Sequence, residues 1–160
     1  QQSRACELVH RNAAEFSRRL AQGYASDGKT PINYRDGFSS AAGLVSTAGD
    51  VARFSIAWDN DELLRPETKQ LASTPPKSSA GKPLPYALGW FVYEHRDETI
   101  LWHYGWWDGV SALIIKIPAR RLTFVLLANS DMLSRPFNLG GDNNLRRSKF
   151  AEEFLDAIKR

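Results

Sequence analysis

Thr99-Ile100-Leu101-Trp102-His103-Tyr104-Gly105-Trp106-Trp107-Asp108-Gly109-Val110-Ser111-Ala112-Leu113-Ile114-Ile115-Lys116-Ile117 is the stretch whose reading decides the fold. Aromatic and β-branched residues dominate both halves, and such residues fit a pleated, half-buried surface. The spacing predicts a strand over 99–104 and another over 110–117. Asp108-Gly109 between them reads as a tight turn, which makes the pair antiparallel. A titratable ring, His103, and a glycine, Gly105, stand at the end of the first strand. That is how one wall of a pocket can be built from a strand that swings at once into its neighbour.

The same period continues on both sides. Tyr86-Ala87-Leu88-Gly89-Trp90-Phe91-Val92-Tyr93 reads as a preceding strand, with Arg96-Asp97-Glu98 as its turn. Pro118-Ala119-Arg120-Arg121 turns the chain into a last strand, Leu122-Thr123-Phe124-Val125-Leu126-Leu127-Ala128. Short turns between successive strands imply an antiparallel meander of about four strands. The last two are nearly continuous apolar runs, so both of their faces are expected to be covered.

Further from the centre the period becomes helical. Leu8, Ala13, Phe16 and Leu20 place a helix over 5–22. Gly23 to Gly37 is rich in turn residues. Ser46 and Thr47 are hydroxyls able to cap a helix, with Asp50 three residues after Thr47; Val51, Phe54 and Trp58 follow on one face. Pro66 opens a short helix, and residues 73–85 read as loop. After a polar loop over 138–144, Phe150, Phe154 and Ile158 mark the apolar stripe of a final helix. Helices first, then a meander, then one helix: the fold class is α+β. The expected division is a helical part, 1–85, and a sheet with its closing helix, 86–160, packed as one unit.

The 160 residues, 42% hydrophobic and 24% charged, suit one domain with a substantial core. The formal charge is +3, and the basic pairs Arg18-Arg19, Arg120-Arg121 and Arg146-Arg147 belong to different elements. No basic face results, so nucleic acid is not an expected partner. No apolar run approaches the ~18 residues of a membrane span. Gln1-Gln2-Ser3-Arg4 does not open a signal peptide, and the chain does not begin with Met, as processing or truncation would leave it. Cys6 is a single cysteine with no internal partner. His10 and His95 lack metal-ligand spacing and read as surface residues; no metal and no cofactor is expected.

Ser40-Ala41-Ala42-Gly43-Leu44-Val45-Ser46-Thr47-Ala48-Gly49-Asp50-Val51-Ala52-Arg53-Phe54 resembles the AAGGLVSTAGDLARF segment of the β-lactamase-related serine hydrolases. These are the class C β-lactamases, D-alanyl-D-alanine peptidases and related esterases. A single glycine stands after Ala41-Ala42 where the family often has two. Leu20-Ala21-Gln22-Gly23-Tyr24 resembles the segment before it, Tyr86-Ala87-Leu88-Gly89-Trp90 the family's YGLGW strand, and His103-Tyr104-Gly105 its third motif, Lys/His-x-Gly. Trp107-Asp108-Gly109-Val110 and Leu122 to Asn129 continue the pattern, so the resemblance spans roughly residues 20–130. It implies a partial β-lactamase/transpeptidase-like fold and, by analogy, an extracytoplasmic setting.

The resemblance also implies what is missing. The family's nucleophile is the serine of a Ser-x-x-Lys motif at a helix start, assisted by a later Tyr-x-Asn, and both precede the matched region. Ser79-Ala80-Gly81-Lys82 has the spacing but sits beside Gly81 and Pro83, so Ser and Lys would not share a helix face. Tyr24-Ala25-Ser26 and Tyr34-Arg35-Asp36 echo Tyr-x-Asn only loosely. The chain is therefore expected to be the C-terminal portion of a larger hydrolase of β-lactams, D-alanyl peptides or esters, inactive alone. His103 is the candidate catalytic residue; Tyr104, Gly105 and the Trp106 amide are the candidate substrate and oxyanion contacts. Strand 122–128, lacking a neighbour, is expected to pair with another copy or with the N-terminal portion of the same protein. The competing reading is a non-catalytic module that holds glycan-like ligands on Trp102, Trp106 and Trp107.

Overall fold

A computed structural model describes residues 18–33, 42–140 and 143–159. In chain order its main elements are β1 (Gly23–Tyr24), β2 (Pro31–Ile32), α1 (Ala48–Asp59), α2 (Pro66–Ser73), β3 (Phe91–His95), β4 (Glu98–Trp107), β5 (Val110–Ile117), β6 (Leu122–Ala128) and α3 (Lys149–Ala157). Strands β3 to β6 form one sheet in sequence order, with every neighbouring pair antiparallel; β1 and β2 form a separate ribbon. The class is α+β.

The sheet's two faces follow from its register. Phe91, Trp102, Ile115 and Phe124 are successive cross-strand partners and form one row. That row, with Ile100, Leu113 and Ile117, meets Leu145, Ala151 and Leu155 around α3 in the main core. Trp102 is fully buried, and Phe91 stacks on it with ring centroids 4.5 Å apart. Phe124 stacks on Phe154 of α3 at the same separation. Ser148 caps α3 by accepting the Ala151 N–H.

The opposite face carries His103, Ile114 and Val125 in one row and Leu101, Lys116 and Thr123 in the next. Helix α1 covers part of it. Thr47 caps α1, its Oγ1 accepting the Asp50 N–H at 3.1 Å and donating to the Asp50 carboxylate at 2.9 Å. Val51, Phe54 and Trp58 are not the buried stripe: Phe54 is half-exposed, and Ser55 is the α1 residue that is fully buried. The reason is Lys116. Its Nζ donates to Asp59 (2.9 Å) and to Thr123 Oγ1 (3.1 Å) and also contacts Ser55 Oγ, so α1 turns a polar edge toward the sheet.

Three expected elements differ. The strand expected from Tyr86 begins only at Phe91. Gly89 takes φ +89°, and the Ala87 N–H reaches forward to the Trp90 carbonyl at 2.7 Å, so residues 86–90 fold into a turn. The strand expected to end at Tyr104 runs to Trp107, because pairing with β5 holds up to Trp107↔Val110 across the Asp108-Gly109 turn. Of the helix expected over 5–22, residues 5–17 lie outside the described residues, as do Cys6 and His10, and helical structure ends at residue 19. There the chain is drawn out instead: Asn129 Nδ2 donates to the Gln22 carbonyl, and the Tyr24 N–H to the Asn129 carbonyl. His95 is also not a plain surface residue, since its Nε2 is buried without a hydrogen-bond partner. Among the described residues no helix is long and apolar enough to cross a membrane.

Lys116→Ala leaves the partly buried Asp59 carboxylate without its cation. Breaking such a pair costs about 3 kcal/mol or more, whereas replacing both partners with apolar groups costs far less. In urea unfolding, Lys116→Ala is expected to shift the midpoint strongly, and Lys116→Met combined with Asp59→Leu to recover most of the loss. Equal loss in the single and double variants would show that the pair does not hold α1 to the sheet.

Candidate active-site wall

The site is built from unequal strand lengths. Five residues of β3 pair with Glu98–Trp102, the first half of the ten-residue β4; the second half has β5 on one side only. The turn between β3 and β4 is Arg96-Asp97, both at positive φ, and the closing pair is His95↔Glu98. In a two-residue hairpin of this kind the closing pair is hydrogen-bonded, and bonded pairs alternate with non-bonded ones. The even-numbered residues of β4 therefore direct their peptide groups toward β3. Tyr104 and Trp106 lie past the end of β3, so their N–H and C=O groups point into the open cleft. No described strand pairs with that part of the edge.

Side chains alternate across it. Gly105 lies on the His103 face, and a Cβ built there meets nothing within 4 Å. Its lack of a side chain leaves the cleft floor empty. Tyr104 points to the other face, stacks on Trp102 at 5.9 Å and packs over Gly140. Trp106 is half-exposed, with the Arg135 guanidinium 5.1 Å above its ring. Together Tyr86, Phe91, His103, Tyr104, Gly105 and Trp106 line an open cleft of about 400 Å³.

The turn at 86–90 brings Tyr86 to this cleft. Its ring sits edge-on to Phe91 at 4.6 Å, and its hydroxyl is 3.0 Å from His103 Nε2. Burial holds the His103 pKa below its ordinary 6.5, opposed only by a hydrogen bond at the Tyr104 backbone. The ring is therefore neutral at neutral pH.

A second cluster holds the far end of the edge. The Asp131 carboxylate is buried, accepts from the Ser26 hydroxyl at 2.9 and 3.0 Å and pairs with Arg135 at 2.7 Å. Burial alone would raise its pKa, but the Arg135 and Ser26 bonds outweigh that and lower it. Ser111 Oγ donates to the Ser130 carbonyl at 2.6 Å and accepts the Leu133 N–H at 3.2 Å. Gly109 packs against Gly23, with 3.3 Å from its ideal Cβ to Gly23 Cα. The β1–β2 ribbon, the β4–β5 turn and the segment after β6 are thus joined around Trp106.

All four expected site residues, His103, Tyr104, Gly105 and Trp106, come together at the cleft. Trp102 does not join them, because it belongs to the core, so an aromatic platform of three tryptophans is not formed. Tyr86, Asp131 and Arg135 were not singled out as site residues. The run 86–93 alternates like a strand, and only Gly89 hints at the turn that redirects Tyr86. Asp131 and Arg135 are an i,i+4 pair of opposite charge, but their further partners, Ser26 and Trp106, are distant in sequence. Ser79 is exposed in a turn where the Gly81 N–H reaches the Ser78 carbonyl and Gly81 takes φ +74°; it shares no helix with Lys82. Among the described residues there is no group of three His, Cys, Asp or Glu side chains able to hold a metal ion.

Because space at Gly105 is open, Gly105→Ala is expected to unfold within about 0.5 kcal/mol of the parent chain, the range of an ordinary surface change. Thermal or urea unfolding tests this; a loss above about 1 kcal/mol would make Gly105 a structural glycine and not a space left for a ligand.

The Beta-lactamase family profile matches residues 8–145. The chain is 27% identical over 101 residues to a penicillin-binding protein of Bacillus subtilis (strain 168), a match covering 62% of this chain and 22% of that protein. It is 30% identical over 152 residues to the unguisins hydrolase of Aspergillus violaceofuscus (strain CBS 115571), covering 76% of this chain and 26% of that protein. The chain thus spans about a quarter of the length of these two relatives. The matched range takes in the whole of the β3–β6 sheet and the cleft at its edge, and the chain belongs to the Beta-lactamase family.

Proposed function

We propose that this chain is the C-terminal portion of a penicillin-recognising serine hydrolase and forms the wall of the pocket facing the nucleophile. The observation that carries this reading is the second half of β4, which β3 leaves unpaired on one side, with Gly105 leaving open space in front of it. The nucleophile itself, a Ser-x-x-Lys serine with its Tyr-x-Asn partner, is supplied by sequence upstream of the matched segments. The substrate is a small molecule with a scissile carbonyl: a β-lactam, a D-alanyl peptide or an ester.

Each residue then has a task. The serine attacks the carbonyl carbon and negative charge grows on the carbonyl oxygen. The Trp106 N–H, held toward the cleft by the β4 register, donates to that oxygen; one such donor is worth about 3 kcal/mol in the transition state. The donor costs no reorganisation when charge appears, because β5 already fixes the strand. His103 stands beside it as a hydrogen-bonding group on the same face as Gly105, and Tyr104 offers the backbone carbonyl and N–H against which a substrate chain can align. With no nucleophile of its own, the 160-residue chain positions a substrate and does not cleave it.

The exposed side of β6 has a further consequence. In the sheet of described residues β6 is an edge, touched only at its end by the Tyr24↔Ser130 bridge, and Leu127 is half-exposed. Such an edge pairs with another strand. Its partner is the N-terminal portion of the same protein or, for the isolated chain, a second copy.

Two measurements test the reading. The purified chain is expected to show no burst and no turnover with nitrocefin or p-nitrophenyl esters; turnover abolished by Ser79→Ala would overturn it. In sedimentation the isolated chain is expected to self-associate with rising concentration. A monodisperse monomer would remove β6 as a docking edge.

A further inference from the structure

Among the described residues the cleft holds no free charge. Among its lining residues, Tyr86, Phe91, His103, Tyr104, Gly105 and Trp106, only His103 titrates near neutral pH. The neighbouring cation, Arg135, lies over the Trp106 ring and is paired with Asp131 at 2.7 Å. Among the described residues no charged side chain acts on His103; what faces it is the Tyr86 hydroxyl, the Phe91 ring and the Tyr104 backbone.

We propose that Tyr86 and His103 act as one uncharged hydrogen-bonded pair, so that this wall seats a neutral acyl, ester or amide group and rejects a carboxylate. The proposal rests on the reading of the cleft as a substrate wall and adds to it the class of group that lies there. Tyr86 is the positioning residue. The Tyr86 turn holds the phenol 3.0 Å from Nε2, which fixes the imidazole ring across the cleft. The hydrogen bond at the Tyr104 backbone favours the protonated ring, so an acceptor there holds a ring N–H. The Tyr86 hydroxyl can donate to Nε2 or accept from it, so the pair forms in either neutral tautomer. A carboxylate moved onto this aromatic surface loses its water and gains no cation, whereas a neutral carbonyl loses far less. The Trp106 and Tyr104 peptide groups supply the hydrogen bonds a neutral carbonyl or amide needs.

The test is a side-chain and amide NMR titration of the 160-residue chain at about pH 7.5, where a lowered His103 is neutral. The probes are N-acetylphenylalanine amide and N-acetylphenylalaninate, which share a skeleton and differ in charge. The amide is expected to shift the His103 ring and Trp106 backbone signals, with the carboxylate about tenfold weaker or more. His103 is expected to titrate below 6.5, with one tautomer dominant in the neutral form. Tyr86→Phe is expected to mix the two tautomers while leaving the fold signals in place. A carboxylate bound as tightly as the amide overturns the neutral wall and leaves the substrate site standing. Shifts from neither probe overturn the site and the proposal with it. A tautomer unchanged in Tyr86→Phe, or a His103 still cationic at pH 7.5, removes the pair.

Discussion

Everything at the candidate site depends on one mismatch: β4 is twice as long as β3. Backbone donors and acceptors must be paired or left to water and ligands. Beyond the Phe91 end of β3, the peptide groups of Tyr104 and Trp106 meet no described strand and face the cleft. In this half the other edge of β4 is paired with β5 as far as Trp107↔Val110, so the exposed groups are rigid. A rigid, unsatisfied edge is an unusual combination in a folded protein, and it is what a pocket wall requires.

The rest of the fold keeps that edge in place from both faces. Beneath it the Phe91–Trp102–Ile115–Phe124 row packs against α3 and sets the strands' positions. Above it Lys116 ties α1 to the sheet through Asp59 and Thr123. At its far end Asp131 gathers Ser26 and Arg135, and Arg135 covers Trp106. A buried carboxylate is tolerated there because a hydroxyl and a guanidinium both satisfy it. The neutral His103 and the neutralised Arg135 then follow from the same packing that builds the wall.

Much of the chain was legible from local pattern. The spans of β5 and β6, the Thr47 cap, the Pro66 helix start and the Asp108-Gly109 turn depend on residues within a few positions of one another. Short-range signals suffice for these. The pocket quartet His103, Tyr104, Gly105 and Trp106 was legible for a different reason: it is contiguous, and its flanks resemble a known family's motifs.

What the sequence by itself determined is the α+β class, the antiparallel meander and the family. These are written in periodicity and in contiguous residues. Only the tertiary structure decided that Tyr86 leaves the strand pattern to meet His103, that Trp102 is core and not platform, and that Asp131 and Lys116 are buried anchors. Each of those outcomes rests in part on a distant partner, from 11 positions for Phe91 and Trp102 to 105 for Ser26 and Asp131. No local propensity records such a distance, because the energy that selects the contact appears only when the strands and helices have already packed.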